Sequence, residues 1–516
     1  MRLTAQRYFQ QMARYDFTAS ITVFFVALPL CLGISLASGA PAYSGIVAGI
    51  IGGIIISVIS QSQLSVSGPA AGLTAICGAA IVQLGSIDHF FAAVAIAGLL
   101  QILLGAFRLG GFTQFVPSSV IRAMLAAIGI ILISKQIPLV IGYNQPDFWT
   151  KELFNLVTFE NGFKNLRGFY ESISQGVIIT SLLCILLLQL WEKFVAPKMS
   201  FIPGSFIVVI SGALIAALLG TLMPSLKLSP GQYVSLPANI FQKSSLPAIH
   251  SVLADVLIWK TAVVICFVAT LETLLSVAAI DKLDPLNRIT PQNRELVAQG
   301  TGNFISGLLG GLPITAVIVR SSANAEAGAK TKISAFLHGI WLALAVMFAA
   351  PLINLIPYCA LAVILIRTGY NLAKPRMIAG VYRQGKEQFL PFAVTVGAVL
   401  LSDLLIGVVI GIGFAIYYLI VHTYRAGFTL KEKLIDNRKH YFIELALNVS
   451  FLNKKRIAEL LDRLPDECAV DIDGSRSVYI DRDILEIFED FKAKAHEKNI
   501  QLTMKGIARV ETLELH

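Results

Sequence analysis

Long apolar runs separated by short polar stretches dominate the first 423 residues of the chain. Ten runs are strongly apolar: 17–37, 43–60, 88–107, 121–142, 176–192, 203–223, 259–280, 333–355, 358–370 and 403–422. Four weaker segments are shorter, rich in glycine or interrupted by polar residues: 68–85, 294–311, 313–329 and 388–402. Because a helix needs about 20 residues to cross a bilayer, the pattern predicts an all-α polytopic membrane protein with about fourteen transmembrane segments.

Two of the weaker segments share a pattern that a simple span lacks. In the first, Ser67, Gly68 and Pro69 precede a short helical run, with Pro69 expected at the first helical position. In the second, the β-branched stretch 314–319 precedes Arg320. Each is predicted to be an extended piece followed by a half-helix that starts inside the membrane. Free N–H groups and the positive end of the helix dipole make such a start an anion site, whereas the alternative is a pair of kinked packing helices.

An internal repeat accounts for the position of these segments. The stretch 25–37 aligns with 267–279 at identical Phe, Val, Ala, Leu and Ala positions. This alignment pairs the first span with the eighth, as a duplication of seven spans requires. An odd number per half predicts a 7+7 inverted repeat, with halves at about 17–223 and 259–423 and a binding site near the midplane.

Charge placement predicts the orientation in the membrane. The chain carries a net charge of +9, yet only 14% of its residues are charged, and Lys and Arg concentrate in alternate short connections. The positive-inside rule then places residues 1–16 and the C-terminus in the cytoplasm of a protein of the inner (cell) membrane. The sequence has no basic stripe with interleaved aromatic residues, so nucleic-acid binding is not expected. The scattered cysteines lack metal-ligand spacing, so no cofactor is expected.

The composition changes after Arg425. A basic linker is predicted over 424–437, and a cytoplasmic α/β domain over 438–516. Within that domain, 441–447, 467–473 and 500–507 are typical of strands. The segments 453–464 and 481–498 have the spacing of amphipathic helices.

Glu272 is the strongest candidate for chemistry within the apolar runs. A carboxylate inside a bilayer costs about 2.5–3.5 kcal/mol, so it should face the cavity. Ser276 follows one helical turn later on the same face. Together they would bind Na⁺ through oxygens, or the carboxyl would take up a proton. The alternative is a structural bond from Arg320 or a backbone group. Arg320 itself would supply positive potential to an oxyanion, form a salt bridge or extend to the membrane boundary.

Three stretches together resemble the SulP family of sulfate permeases and bicarbonate transporters, the relatives of prestin and pendrin. They are VALPLCLGISLASGAPAYSGIVAGIIGGII, SVSGPAAGLTAI and GGLPITAVIVRSSANAEAGAKTKISAFLHG. The resemblance implies an elevator transporter with a gate and a core block, a homodimer, and a C-terminal STAS domain open to cytoplasmic regulators. It places the coupling ion at Glu272 and Ser276. The implied anion-binding residues are Ser67, Gly68, Pro69, Ala70, Ala71, Val319, Arg320, Ser321 and Ser322.

The chain departs from the family pattern at two places. Leu30 stands where many members have a polar residue after the proline, which removes one candidate site residue. Arg482 and Asp483 replace the hydroxyl residues of the phosphorylated turn found in related STAS domains. Phosphorylation is therefore not expected to switch the domain at this position.

These observations predict secondary active transport of bicarbonate or sulfate, coupled to Na⁺ or H⁺. A passive anion channel or a sensor is one alternative, and a coupling carboxylate such as Glu272 argues against a channel. A nucleobase permease is the other, although those proteins carry carboxylates in both the eighth and tenth segments. An enzyme is not expected, because the soluble part has no nucleophile–base pair or phosphate loop.

Overall fold

The computed structural model describes residues 5–111, 117–142, 173–199, 202–237, 255–402, 404–435 and 438–508. These residues form two compact units. The first comprises Met1–Gly385 and Phe392–Ile410, and the second comprises Lys386–Pro391 and Gly411–His516.

Helices make up almost all of the first unit. In chain order they are α1 Ala5–Ala37, α2 Ala42–Ile59, α3 Thr74–Leu84, α4 Ile87–Ala106, α5 Ser118–Ile141, α6 Gln175–Leu190, α7 Gly204–Leu222, α8 Val256–Asp281, α9 Gln292–Leu308, α10 Ile318–Glu326, α11 Ile333–Ile353, α12 Tyr358–Leu372 and α13 Pro375–Arg383. Helices α14 Lys386–Leu401 and α15 Leu404–Arg425 contribute to both units. Within the described residues, nine helices are long and apolar enough to cross a membrane. The other predicted segments form shorter or more polar helices.

Glycines allow several of these helices to touch backbone to backbone. A Cβ on Gly98 of α4 would lie 2.6 Å from the carbonyl oxygen of Gly300 of α9, and one on Gly300 would lie 2.7 Å from that of Gly98. The same reciprocal contact joins Gly129 of α5 to Gly369 of α12. In lipid, small residues drive helix association because close packing replaces the hydrophobic effect. Helix α9 is therefore buried by contact despite its weak hydropathy.

Two short strands meet in the interior of the first unit, and we call this pair the β1–β2 crossing. Strand β1 (Ser67–Pro69) precedes α3, and β2 (Ile314–Ala316) precedes α10. They pair antiparallel, with Ser67 opposite Ala316 and Pro69 opposite Ile314. All six residues are buried. Non-helical backbone at this position requires internal partners, because lipid offers none.

The second unit contains the predicted α/β domain. Its sheet has the order β3 (Phe428–Ile435), β4 (Arg438–Leu445), β6 (Ala469–Asp473), β8 (Gln501–Lys505). Strand β3 is antiparallel to β4, and the remaining neighbours are parallel. Helices α16 (Lys454–Asp462) and α17 (Arg482–Glu497) bury their apolar faces in the domain core. A short pair, β5 (Asn448–Val449) and β7 (Tyr479–Ile480), completes the unit.

The strands and helices predicted for this domain are confirmed, but the linker predicted over 424–437 is wrong in part. Residues Phe428–Ile435 form β3, hydrogen-bonded along its whole length to β4. Four of its eight residues are apolar, yet seven of the eight positions are exposed, so the apolar residues do not mark a buried face. Sequence patterning finds such an edge strand poorly, since only Phe428 is buried.

Candidate anion and coupling-ion site

The two predicted half-helices meet at the β1–β2 crossing. After β1 the chain makes a 3-10 turn over Ala71–Leu73 and then enters α3, while α10 starts at Ile318, directly after β2. The expected extended piece followed by a half-helix is therefore present in both segments. The helix start expected at Pro69 is wrong, because Ser67, Gly68 and Pro69 lie in the strand and the 3-10 turn starts only at Ala71.

Side-chain hydroxyls fasten the crossing. The Val66 N–H donates to Ser321 Oγ (2.9 Å), and the Val317 N–H donates to the Val66 carbonyl (3.0 Å). Ser321 Oγ also donates to the Val317 carbonyl (2.8 Å). Ser67 Oγ accepts from Gln299 Nε2 (2.7 Å). Ser321 therefore joins the two extended pieces, and Ser67 ties β1 to α9.

Helix α9 supplies a polar ladder that sequence reasoning missed. Glu295 accepts from Ser60 Oγ (2.5 Å) and from Gln299 Nε2 (3.0 Å). One turn beyond Gln299, Asn303 accepts from the Ile314 N–H (2.5 Å) and donates to the Ile314 carbonyl (3.0 Å). Asn303 therefore pairs both backbone polar groups of Ile314, the first residue of β2. The signal in the sequence was the spacing of these polar residues, four apart in the weak span 294–311.

A cavity of about 360 Å³ lies beside the crossing and contains both half-helix starts. Ala71 and Gly72 reach it from the first half-helix, and Val317, Ile318 and Val319 from the second. The rest of the wall comes mainly from α1, α5 and α8, and most of it is apolar: Leu30, Ile34, Ile121, Met124, Leu125, Ile128, Leu275, Ala278, Ala279 and Leu372. Both half-helix starts thus border a largely apolar cavity.

Glu272 lines this cavity from α8, and Ser276 lies one turn further along. Its carboxylate rests at the start of the first half-helix, where the Gly72 N–H donates to it. A Cβ on Gly72 would lie only 2.8 Å from Glu272 Oε2. That oxygen is buried and has no hydrogen-bond partner among the described residues. Of the two structural bonds weighed above, the one from a backbone group is present and the one from Arg320 is not.

Glu272 and Ser276 present the hard oxygen ligands that Na⁺ requires, and the unpaired Oε2 suits either a cation or a proton. A carboxylate at a helix start also occupies the place that a substrate anion would take.

Arg320 is fully buried on α10 but does not line the cavity. Its guanidinium packs on the backbone of β1, where a Cβ on Gly68 would lie 3.0 Å from Arg320 Cζ. Its Nε, Nη1 and Nη2 have no hydrogen-bond partner in the described part of the chain. Only glycine leaves room for the guanidinium at position 68, which explains this residue in the motif.

The predicted site residues therefore divide into two groups. Ala71, Val319, Glu272 and Ser276 line the cavity. The others form the crossing or the helix behind it: Ser67, Gly68, Pro69, Ala70, Arg320, Ser321 and Ser322. Arg122, Lys282 and Thr368 line the cavity and were missed, because their sequence surroundings resemble ordinary helix ends.

The helical membrane unit, with paired half-helix starts and a buried carboxylate, defines an integral membrane transporter. The sequence profile of the sulfate permease family matches residues 14–395, and the chain belongs to that family. YvdB of Bacillus subtilis, a candidate sulfate transporter, is 28% identical over 78% of this chain and 73% of its own length. The bicarbonate transporter BicA of Synechocystis is 25% identical over 88% of this chain and 77% of its own length. The family and these relatives are transporters and not enzymes.

Two solved structures share the fold. The transmembrane domain of a cyanobacterial BicA superposes with a TM-score of 0.60 at 23% identity, over 78% of this chain and 97% of that domain. The anion transporter SLC26A9 superposes with a TM-score of 0.74 at 15% identity, over 96% of this chain and 84% of its own. The second match extends over both units of the present chain.

Proposed function

We propose that this protein is a secondary active transporter of a small inorganic oxyanion, bicarbonate or sulfate, coupled to Na⁺ or H⁺. The observation that carries the proposal is one cavity containing two half-helix starts and the Glu272 carboxylate. Sulfate and bicarbonate transporters among the relatives support the substrate class.

The coupling follows from where Glu272 lies. Its carboxylate holds the start of the first half-helix, at Gly72, and would repel a second anion there. A proton on Oε2, or a Na⁺ held by Glu272 and Ser276, removes that repulsion. The anion then binds between the half-helix starts, with Ala71 and Val319 nearest to it. Binding of either ion thus favours binding of the other, and such coupling is reciprocal.

The movement we propose is an elevator. The 7+7 inverted repeat would divide the first unit into a core block carrying the site and a gate block, and the core block would move the site across the membrane. With a cation bound, the charge of the Glu272 carboxylate is compensated and the anion faces the two half-helix starts, whereas a site with Glu272 ionised alone carries an uncompensated charge. Since a bare charge costs about 2.5–3.5 kcal/mol in the bilayer, the empty ionised site moves least readily.

Further parts of the proposal concern assembly and place. The protein acts in the cell (inner) membrane as a homodimer, with both termini cytoplasmic. The α/β domain of the second unit is a STAS domain that receives cytoplasmic regulators. The sheet with two packed helices supports that assignment.

Uptake into proteoliposomes tests the proposal. Labelled bicarbonate and labelled sulfate are offered with an inward Na⁺ gradient, an inward H⁺ gradient, or neither. Accumulation of one anion above equilibrium, driven by one cation gradient, is the expected result. Flux that only equilibrates the anion under every gradient would instead establish a passive channel, and uptake of nucleobases without anion uptake would establish the permease.

A further inference from the structure

A concave pocket of about 840 Å³ in the second unit lies at the end of the last candidate span. That span, Ile406–Arg425, ends at one of the pocket residues. We call it the arginine pocket, and it is lined by Tyr424, Arg425, Phe428, Thr429, Leu430, Arg456, Glu459, Leu460 and Arg463. It belongs to a different part of the protein from the transport cavity.

The arginine pocket has an excess of positive charge. It contains three arginines and one carboxylate, so its formal net charge is +3 − 1 = +2. The carboxylate, Glu459, approaches Arg463 only at 4.0 Å, and both side chains are exposed. Ion pairs of this kind contribute little, so they do not neutralise the pocket. Arg425 is exposed as well.

The base of the pocket is built rigidly. Asn453, fully buried, donates through Nδ2 to the carbonyls of Thr423 (2.7 Å) and Tyr424 (3.1 Å). Arg456 Nη1 donates to the Arg425 carbonyl, and Arg456 Cζ lies 4.6 Å from the centre of the Phe428 ring. These bonds cover the last carbonyls of α15, the negative end of that helix, which would otherwise repel an anion.

We propose that the arginine pocket binds the phosphate group of an anionic membrane phospholipid. The end of a span lies at the level of the lipid headgroups, where basic residues attract anionic lipid. Arginine forks match phosphate oxygens in geometry and charge. Tyr424 and Phe428 add the aromatic contacts typical of the membrane interface. A free phosphate ion would bind the same arginines, but its binding would gain nothing from the position of the pocket at the end of a membrane span.

Native mass spectrometry of the full-length protein in detergent tests the proposal by titration with phosphatidylglycerol or with phosphatidylcholine of the same acyl chains. Phosphatidylglycerol is expected to bind in preference. Each of R425Q and R463Q should weaken it about fivefold, and the double variant about 25-fold. The matched control is R482Q, an exposed arginine of the same domain outside the pocket, which should leave binding unchanged. The single variants keep the test valid if the double variant does not fold, and Arg456 is left intact because it caps α15.

Equal binding of the two lipids would overturn the proposal, as would unchanged phosphatidylglycerol binding in folded R425Q and R463Q. A third titration uses inorganic phosphate at millimolar concentration. No displacement of phosphatidylglycerol is expected. Displacement that is lost in R425Q and R463Q would identify a free phosphate as the ligand and would overturn the lipid assignment.

Discussion

Replacing Glu272 by glutamine tests how the two fluxes are coupled. Glutamine keeps the size of the side chain and can still accept from the Gly72 N–H, but it can neither carry a net negative charge nor take up a proton. The cavity shape and both half-helix starts should survive. We therefore expect the variant to fold, to bind the anion, and to lose its response to the cation gradient.

The size of the effect follows from the surroundings of the carboxylate. Oε2 has no partner among the described residues, so the charge is compensated mainly by the coupling cation. A bare carboxylate in a bilayer costs about 2.5–3.5 kcal/mol, which corresponds to about 60- to 300-fold in the apparent affinity for that cation. In the wild type, a tenfold gradient of one monovalent cation per anion supports at most about tenfold accumulation at zero potential. In Glu272→Gln the accumulation ratio should fall to about one.

The assay compares counterflow with gradient-driven accumulation in the same proteoliposomes. Counterflow needs only binding and movement of the site, so it should persist in Glu272→Gln while accumulation disappears. Glu326→Gln is the matched control, because this carboxylate ends the second half-helix, α10, but is exposed and does not line the cavity. Full cation-driven accumulation in Glu272→Gln would refute the reasoning, whatever the control does.

Gly72→Ala would push its Cβ against the Glu272 carboxylate, which is the flexible end of a side chain. We therefore expect coupled uptake to slow about tenfold while the melting temperature stays nearly unchanged. Loss of folding in this variant would contradict this reasoning. Asn303→Leu leaves the N–H and carbonyl of Ile314 unpaired and should destabilise the protein by about 2–6 kcal/mol in a detergent melt, whereas wild-type stability would show that Asn303 does not hold β2. Outside the spans, burial acts to raise the pKa of Asp284, but bonds from Arg288 at 2.6 and 3.1 Å hold it below its usual 3.8. The stabilisation this implies is complete above about pH 4 and is lost as the pH falls through the lowered pKa. The melting temperature of Asp284→Asn should therefore lie below that of the wild type at pH 7, by a gap that closes only in stronger acid; a gap that widens in acid would be inconsistent with the pair.

Several properties could be predicted because they depend on local order along the chain. The apolar runs predict membrane helices, since each backbone group in lipid must be bonded within its own segment. The Ser-Gly-Pro and β-branched stretches predict the two half-helices, because these residues disfavour a continuing helix. Glu272 is predicted as a site residue because a carboxylate in the bilayer is costly unless it faces a cavity or a binding partner.

Other properties depend on contacts between distant segments. The antiparallel pairing of Ser67 with Ala316 joins residues nearly 250 positions apart. Neither strand carries a pattern that specifies its partner, because each has only three residues. In the sequence, the amides of Gln299 and Asn303 only weaken the hydropathy of the span 294–311. Their role in bonding β1 and β2 depends on α9 packing beside both strands.

Arg320 separates the two kinds of information most clearly. Hydropathy and residue spacing are local, so they predict that a cation within the membrane segments follows the second extended stretch. The packing of α10 against its neighbours turns the guanidinium onto Gly68 and away from the cavity that Glu272, Ser276 and both half-helix starts line. The direction of a side chain on a helix follows from how that helix is rotated against its neighbours. That rotation is set by the summed packing of the whole unit, which local sequence does not contain.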